Sequence, residues 1–147
     1  MRVLAVSSSG GHWEQLMLLR EAFADCEVVY ATTLSGLAER SGVDEATIIP
    51  DFNAQKPVKT LLSLWSIFQL VLRSRADAIV STGAAPGFVA LAVGRLMGKH
   101  TIWIDSIANS ERLSMSGSMI RRIAHLRLTQ WEHLARPEGP LYAGAVL

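Results

Sequence analysis

The chain opens with a strand, a glycine turn and a helix, and this stretch constrains the fold more than any other. Val3–Val6 is a short apolar run of the kind that forms a buried strand, and a turn with Gly10 and Gly11 follows it. A periodic apolar pattern from Trp13 onward then predicts a helix. Adjacent glycines let the backbone turn tightly, and the N–H groups at a helix start suit an anion such as phosphate. We therefore predict a phosphate-binding loop, with a loop that only packs as the alternative.

The loop lacks the fingerprints of common nucleotide sites. The sequence contains neither the G-x-G-x-x-G of dinucleotide-binding domains nor the Gly-Lys-Ser/Thr of a P-loop. We therefore expect a diphosphate rather than a dinucleotide or ATP, and a free-standing nucleotide-binding domain is a weaker interpretation. His12 lies at the same turn, and histidine is the side chain best able to exchange a proton near neutral pH.

Strands and helices alternate along the rest of the chain. This alternation predicts an α/β fold, a Rossmann-like doubly wound parallel sheet with helices on both faces. Further strands are predicted at residues 27–32, 46–49, 77–82, 100–104, 126–130 and 141–143. Helices are predicted at residues 37–40, 56–75, 88–97 and 115–126.

Residues suited to binding or catalysis follow the first, fourth and fifth predicted strands. A second glycine loop, Gly83–Gly87, precedes the helix at residues 88–97, and Pro86 suits the first helical turn. Asp105 and Ser106 follow the fifth strand. Because ligands of such sheets bind beyond the carboxyl ends of the strands, we expect both glycine loops and this pair to form one site. The sequence offers no metal-ligand cluster and no nucleophile elbow of a serine hydrolase.

Composition narrows the class of protein. The 147 residues are half hydrophobic with net charge +1, which predicts one domain with one core, and the single Cys26 excludes an internal disulfide. The N-terminus runs straight into a strand, so neither a signal peptide nor an anchor helix is expected. Residues 52–147 hold 11 basic and 5 acidic side chains, which favours an anionic partner. Nucleic acid is not expected, because aromatic stacking platforms do not accompany the basic residues.

The long helix predicted over residues 56–75 is a candidate membrane contact. Its apolar face is wider than one side of a sheet normally needs, while Ser63 and other polar residues form a narrow stripe. Apolar area flanked by cations is what a helix lying at a membrane surface requires. Burial in the chain's own core or against a partner subunit are the alternatives. The candidate membrane residues are Trp65, Phe68, Lys56, Lys59, Arg73 and Arg75.

Four stretches together resemble one family, and they span essentially the whole chain. They are Ser9–His12 with Glu14, Thr82–Gly87, Asp105–Ile107 with Arg112–Gly117, and Gln130-Trp131 with Leu141–Gly144. The chain resembles the asparagine-linked glycosylation fourteen family, the membrane-associated subunit of a two-subunit N-acetylglucosaminyltransferase. Bacterial relatives in exopolysaccharide and capsule synthesis look closer still. Unlike the eukaryotic members, this chain begins at the first strand, and it carries Asp105 where they carry glutamate.

The resemblance implies a fold equivalent to the N-terminal half of a GT-B glycosyltransferase. Residues 1–147 would form a single acceptor-binding domain that holds a polyprenyl-diphosphate-linked sugar at the cytoplasmic face of the membrane, as a peripheral protein. A separate subunit would bind the UDP-sugar, the reaction would invert the anomeric centre, and no cofactor or metal is implied. The alternative is a non-catalytic module that recruits a self-sufficient glycosyltransferase to the membrane.

Inverting transfer needs a base for the acceptor hydroxyl and a holder for the diphosphate. His12 and Asp105 are the candidate bases. His12 could instead bind the diphosphate or cap its helix, and Asp105 could bind sugar hydroxyls or order the loop to Ser114. The acceptor-binding candidates are Ser9, Gly10, Gly11, Glu14, Gly83, Pro86, Gly87, Ser106, Ser114, Ser116 and Gly117.

The C-terminal segment, residues 130–147, is predicted to dock the partner subunit. Its apolar side chains follow a sheet that is already built, and uncovered apolar surface usually marks an interface. In a two-domain enzyme of this class the chain would cross to the other half here. Closure of the chain's own core is the alternative. The candidate contacts are Gln130, Trp131, Tyr142 and Leu147.

Overall fold

The structure is a computed structural model that describes residues 1–52 and 57–146. Lys56 and Leu147, predicted as a membrane contact and a partner contact, lie outside the described residues.

Seven parallel strands form one sheet in the described part of the chain. Short apolar runs bounded by polar turns produce them, and the predicted strands are confirmed with boundaries that differ by at most one residue at either end. The strands are β1 Arg2–Val6, β2 Glu27–Thr32, β3 Ala46–Ile48, β4 Ala78–Ser81, β5 His100–Ile104, β6 Leu126–Thr129 and β7 Leu141–Tyr142.

The strand order is β3-β2-β1-β4-β5-β6-β7, with every neighbouring pair parallel. The chain therefore builds outward from β1 in one direction, returns, and builds outward from β4 in the other. This order confirms the predicted doubly wound sheet. The reversal between β1 and β4 opens a crevice at the carboxyl ends of these two strands, where ligands of such folds bind.

Five α-helices connect the described strands, and their lengths depart from the prediction in three places. They are α1 Gly11–Leu18, α2 Leu37–Arg40, α3 Pro57–Ser74, α4 Ala84–Leu96 and α5 Met115–Met119. The apolar period after β1 continues as a 3-10 helix at Arg20–Phe23, and the helix predicted to reach residue 126 likewise tightens into a 3-10 turn at Ile120–Arg122. Tightening of this kind is common at helix ends. α4 begins at Ala84, so the second glycine stretch lies mostly inside a helix.

Two layers of helix cover the sheet. On one face Trp13 and Leu16 of α1 pack with Ala5 and Tyr30. On the other face, residues of α3 and α4 pack against β1, β4 and β5. The buried members of this second cluster include Leu4, Val6, Ile67, Val71, Ile79, Ala90, Leu91 and Trp103.

The helix α3 turns an apolar face outward. Ile67 and Val71 are buried, yet seven large apolar side chains of this helix are exposed: Val58, Leu61, Leu62, Leu64, Trp65, Phe68 and Leu72. Ser63, a member of the predicted polar stripe, is fully buried. Its hydroxyl donates to the carbonyl of Lys59 at 2.9 Å, which makes burial of a serine tolerable. No helix in the described residues is long and apolar enough to cross a membrane.

Candidate functional site

An open cleft of about 340 Å³ lies at the carboxyl edge of the sheet. It occupies the reversal between β1 and β4, with the loop after β5 forming its far wall. The lining residues are Gly11, His12, Gln15, Ala84, Ser106, Ala108, Asn109, Ser114, Met115 and Ser116.

Three helices begin at this cleft. Gly11, Ala84 and Met115 are the first residues of α1, α4 and α5, and all three line it. The first N–H groups of a helix have no acceptor within the helix, and the helix dipole makes this end positive. Among the residues that the structure describes, no carboxylate side chain lines the cleft. The cleft therefore favours an anion held by neutral donors, as the paired glycine loops predict.

The imidazole of His12 is fixed by the strand on the other side of the reversal. Its Nδ1 lies 3.0 Å from the carbonyl oxygen of Thr82, and the Thr82 hydroxyl donates back to the His12 carbonyl at 2.7 Å. Because a carbonyl only accepts, Nδ1 carries the proton in this contact. In the neutral ring Nε2 then has a free lone pair. The arrangement suits proton acceptance at Nε2.

Gly83 makes room for this imidazole. A Cβ at Gly83 would lie 2.3 Å from Cε1 and 2.4 Å from Nδ1 of His12. Its φ of +146° is also one that side chains rarely adopt. The absence of a side chain here lets α1 and β4 approach closely enough for the His12–Thr82 contact.

We expect Gly83→Ala to displace the imidazole of His12 and to break its contact with the Thr82 carbonyl, because an alanine Cβ would overlap Cε1 and Nδ1. The matched control is Gly98→Ala, since Gly98 also has a positive φ, +73°, but has open space at its Cβ position. The His12 Cε1 proton resonance should move in the first variant alone. If that resonance stays unmoved in Gly83→Ala, or moves equally in both variants, the absence of a side chain at Gly83 does not position the imidazole.

Asp105 is buried, with 2% of its surface exposed, and its carboxylate oxygens accept hydrogen bonds from neighbouring residues. It accepts from the Ser114 N–H at 2.9 Å, the Ser114 hydroxyl at 2.5 Å and the Trp103 indole at 3.2 Å. Ser114 in turn caps α5 by accepting from the Gly117 N–H at 2.8 Å. The absence of a side chain at Gly117 is needed, because a Cβ there would lie 2.6 Å from the carboxylate.

A buried amide network joins the cleft to the C-terminal segment. Gln15 of α1 donates to the Ser106 hydroxyl at 3.0 Å and accepts from Ile107 and from Gln130. Gln130 also donates to the Asp105 carbonyl at 3.1 Å and accepts from the N–H of Val146 at 3.0 Å. Both glutamines are less than a tenth exposed. The network ties α1, the wall after β5 and the C-terminal segment into one unit.

The structure brings five of the predicted site residues together in the cleft and places the others around it. The five are Gly11, His12, Ser106, Ser114 and Ser116. Gly10 precedes α1 with φ +73° and shapes the turn. Glu14 points to solvent, and Ser9 is fixed by its N–H to the Thr33 hydroxyl.

Two residues of the second glycine stretch serve packing. Pro86 is buried in the first turn of α4. Gly87 is helical, and a Cβ there would lie 1.8 Å from the Ser81 hydroxyl oxygen, so its small size lets α4 approach β4. Neither lines the cleft. The N–H groups of α4 that face the cleft are those at its beginning, near Ala84.

The predicted membrane and docking residues lie away from the cleft. Lys59, Arg73 and Arg75 are exposed on or beside α3. Tyr142 is exposed, whereas Trp131 is half-buried and donates to the Ile107 carbonyl at 2.8 Å. Gln130 is buried, so its side chain can affect a docked partner only indirectly, by supporting the exposed residues around it.

Outside the glycine loops, sequence reasoning did not assign four of the lining residues to the site. They are Gln15, Ala108, Asn109 and Met115, and only Met115 lies in a stretch that the sequence analysis singled out. Among the described residues, no group of three or more histidine, cysteine, aspartate or glutamate side chains is placed to hold a metal ion.

Solved structures share this fold at low sequence identity. The crystal structure of Acinetobacter baumannii MurG matches 98% of the chain with a TM-score of 0.76 and 14% identity. A putative UDP-N-acetylglucosamine 2-epimerase from Listeria monocytogenes matches 88% with a TM-score of 0.69 and 11% identity. The chain covers 45% and 39% of these two structures, less than half of each. The fold is therefore that of the N-terminal half of a GT-B glycosyltransferase, as expected.

Sequence comparisons give a more specific result. A mouse protein, the UDP-N-acetylglucosamine transferase subunit ALG14, is 27% identical over an alignment that covers 91% of this chain and 77% of the mouse protein. The family model of Alg14-like oligosaccharide biosynthesis proteins matches residues 51–146, which include α3, the loop after β5 and most of the C-terminal segment. The chain belongs to the family of Alg14-like oligosaccharide biosynthesis proteins.

Proposed function

We propose that this chain is the acceptor-binding subunit of a glycosyltransferase that extends a lipid-linked diphosphate sugar. The observation that carries the proposal is the cleft, where three helix starts meet beside the fixed imidazole of His12. Membership in the Alg14-like family supports a sugar-transfer function. The test is transfer from a UDP-sugar to a lipid-linked acceptor, measured with and without a donor-binding partner.

The acceptor diphosphate binds at the starts of α1 and α4. Gly11 and Ala84 both line the cleft at the starts of these helices, and backbone N–H groups at helix starts bind phosphate oxygens without a cationic side chain. Hydroxyls of Ser106, Ser114 and Ser116 supply further polar partners at the far wall. The sugar of the acceptor lies between these hydroxyls and His12.

His12 is the general base. The contact of Nδ1 with the Thr82 carbonyl holds the ring in one orientation and leaves Nε2 to accept a proton. The acceptor hydroxyl loses this proton as its oxygen attacks the anomeric carbon of the donor sugar, and the nucleoside diphosphate leaves.

Asp105 positions the far wall instead of exchanging protons. Its oxygens already accept three hydrogen bonds, and its side chain has almost no exposed surface. By fixing Ser114 it fixes the start of α5, and with it Met115 and Ser116 in the cleft. This role corresponds to the alternative in which Asp105 orders the loop to Ser114.

The donor half comes from a second protein. The mouse relative is named as a transferase subunit, and the proposed division gives nucleotide binding to the partner. The partner docks on the C-terminal segment, where Leu141 and Tyr142 leave over two-fifths of their surface exposed. The amide network from Val146 through Gln130 to Gln15 then links the docking surface to the cleft.

The exposed face of α3 attaches the chain to the membrane. Trp65 is 61% exposed and stacks on Phe68 at 5.7 Å between ring centroids. Aromatic rings with an apolar body settle at the headgroup level of a bilayer. Lys59, Arg73 and Arg75 flank this face, and each cation near an anionic surface adds about 1 kcal/mol of attraction.

We expect Trp65→Glu with Phe68→Glu to weaken binding to anionic vesicles by at least about tenfold, because two anchoring rings are replaced by repelled carboxylates. Cosedimentation with phosphatidylglycerol vesicles measures the effect. The matched control is Leu18→Glu with Leu34→Glu, which places the same charges at exposed apolar positions outside α3. Equal vesicle binding by the two folded double variants would show that α3 is not the anchor.

A further inference from the structure

Another cavity, of about 520 Å³ and lined by several charged side chains, lies beyond α5 and shares no residue with the acceptor cleft. Its walls come from the end of the loop after β5, from α5 and the turn that follows, from β6 and from the β6–β7 connection. The lining residues are Glu111, Arg112, Leu113, Ser118, Arg121, Arg127, Leu134, Arg136, Glu138, Gly139 and Pro140. We call this cavity the arginine pocket.

The base of the arginine pocket is a fixed guanidinium. Arg127 projects from β6, is only 9% exposed, and donates to the carbonyls of Glu138 at 3.2 Å and Gly139 at 2.8 Å. Gly139 lies against it, since a Cβ there would come within 3.3 Å of Nη2. A buried cation therefore lies at the bottom of the cavity, and the backbone carbonyls that accept its hydrogen bonds carry no net charge.

Charge in the arginine pocket is not balanced within the chain. Four arginines face two glutamates, and no salt bridge joins any of them in the described residues. Burial and then the nearby Arg121 lower the pKa of Arg127, while Glu138 raises it. A buried cation with a second cation as neighbour indicates a place for an anion.

The chemistry of the walls indicates which anion fits. Several guanidinium groups around one cavity suit a group with more than one negative charge and several oxygens, and planar guanidinium forks match phosphate oxygens. Leu113, Leu134 and Pro140 add an apolar wall that can contact the carbon part of such a ligand.

We propose that the arginine pocket is a phosphate-binding site, separate from the acceptor cleft, for a phosphate or diphosphate group carried by an organic molecule. Arg112 and Arg121 close on the phosphate from the exposed side, and Arg127 meets it from below. The headgroup of an anionic phospholipid and a soluble diphosphate both offer this chemistry.

Two exposed arginines of the arginine pocket allow a test that spares the fold. Arg112→Gln with Arg121→Gln removes two charges from the pocket, whereas Arg40→Gln with Arg122→Gln removes two charges from exposed positions outside it. Calorimetry with inorganic pyrophosphate forms one arm. Cosedimentation with vesicles of phosphatidylcholine alone, or mixed with phosphatidic acid, forms the other.

We expect the pocket variant to lose at least about tenfold in affinity in one arm or both, while the control variant retains the affinity of the unaltered chain. Loss confined to the pyrophosphate arm identifies a soluble diphosphate, and loss confined to the phosphatidic acid arm identifies a lipid headgroup. In the unaltered chain, the matching ligand should also protect Arg112 and Arg121 from phenylglyoxal, with Arg40 and Arg122 labelled as before. Equal affinities of the two variants in both arms, without selective protection, would overturn the proposal.

Discussion

His12→Gln should lower kcat by roughly 10²- to 10⁴-fold, with the acceptor KM little changed, when the partner subunit is present. Nδ1 of His12 donates to the Thr82 carbonyl at 3.0 Å, and a glutamine amide can likewise donate a hydrogen bond. It cannot accept a proton in the way that Nε2 does. The substitution therefore removes the proposed base and retains a hydrogen-bond donor at this position.

Steady-state kinetics over a range of acceptor concentrations separates the roles of His12. A diphosphate ligand predicts a raised acceptor KM with kcat retained, and a helix-capping role predicts a loss of thermal stability. Leu18→Gln is the matched control, because Leu18 lies on the same helix and is exposed. Near-normal kcat in His12→Gln would remove the base assignment, and Asp105 would become the remaining candidate.

Asp105→Asn gives the complementary result. One carboxylate oxygen becomes an amide that cannot accept from Ser114, so about 1.5–3 kcal/mol of stability should be lost with that charge-assisted hydrogen bond. The acceptor KM should rise because α5 is no longer held. A fall in kcat without loss of stability would instead favour proton transfer by Asp105.

The strands of the sheet could be predicted because their signals are local. Glu27–Thr32 and His100–Ile104 match residue for residue, since each is an apolar or β-branched run with polar or glycine-containing sequence on either side. The location of the site at the carboxyl edge of the sheet could be predicted from the same information, because the residues that follow parallel strands meet at one edge. His12 and Ser106 are the examples that the cleft brings together.

The sequence could not reveal which face of α3 packs on the sheet. Periodicity shows which residues share a face, but both faces of this helix are largely apolar. Ile67 and Val71 are buried together with Ser63, and Trp65 and Phe68 remain exposed. The choice depends on the complementary surface of the sheet, which no local pattern describes.

Tertiary contacts account for the other differences. The glycines of Gly83–Gly87 led to the prediction of a loop. Gly87 instead lies inside α4, where the lack of a side chain lets the helix pack against Ser81. Gln15 and Gln130 form one buried pair across 115 positions of sequence. Such contacts leave no periodic signal, because each residue alone resembles a surface glutamine.

Transfer activity should depend entirely on a second subunit. The fold corresponds to the N-terminal half of a GT-B enzyme, and the reacting centres in that class meet in the crevice between two halves. We propose that this chain supplies the base and the anion-binding N–H groups, and that every donor contact comes from the partner. We therefore expect no turnover above background from the purified chain, whichever UDP-sugar is supplied.

A reconstitution assay tests the acceptor-subunit account most directly. The chain, the proposed donor-binding partner and an equimolar mixture are each given a lipid-linked diphosphate sugar and a UDP-sugar, and product is quantified by mass spectrometry. We predict product from the mixture alone, and its loss when the mixture contains the His12→Gln chain. Turnover by this chain without the partner, by the partner without this chain, or by the His12→Gln mixture at the full rate would contradict the account.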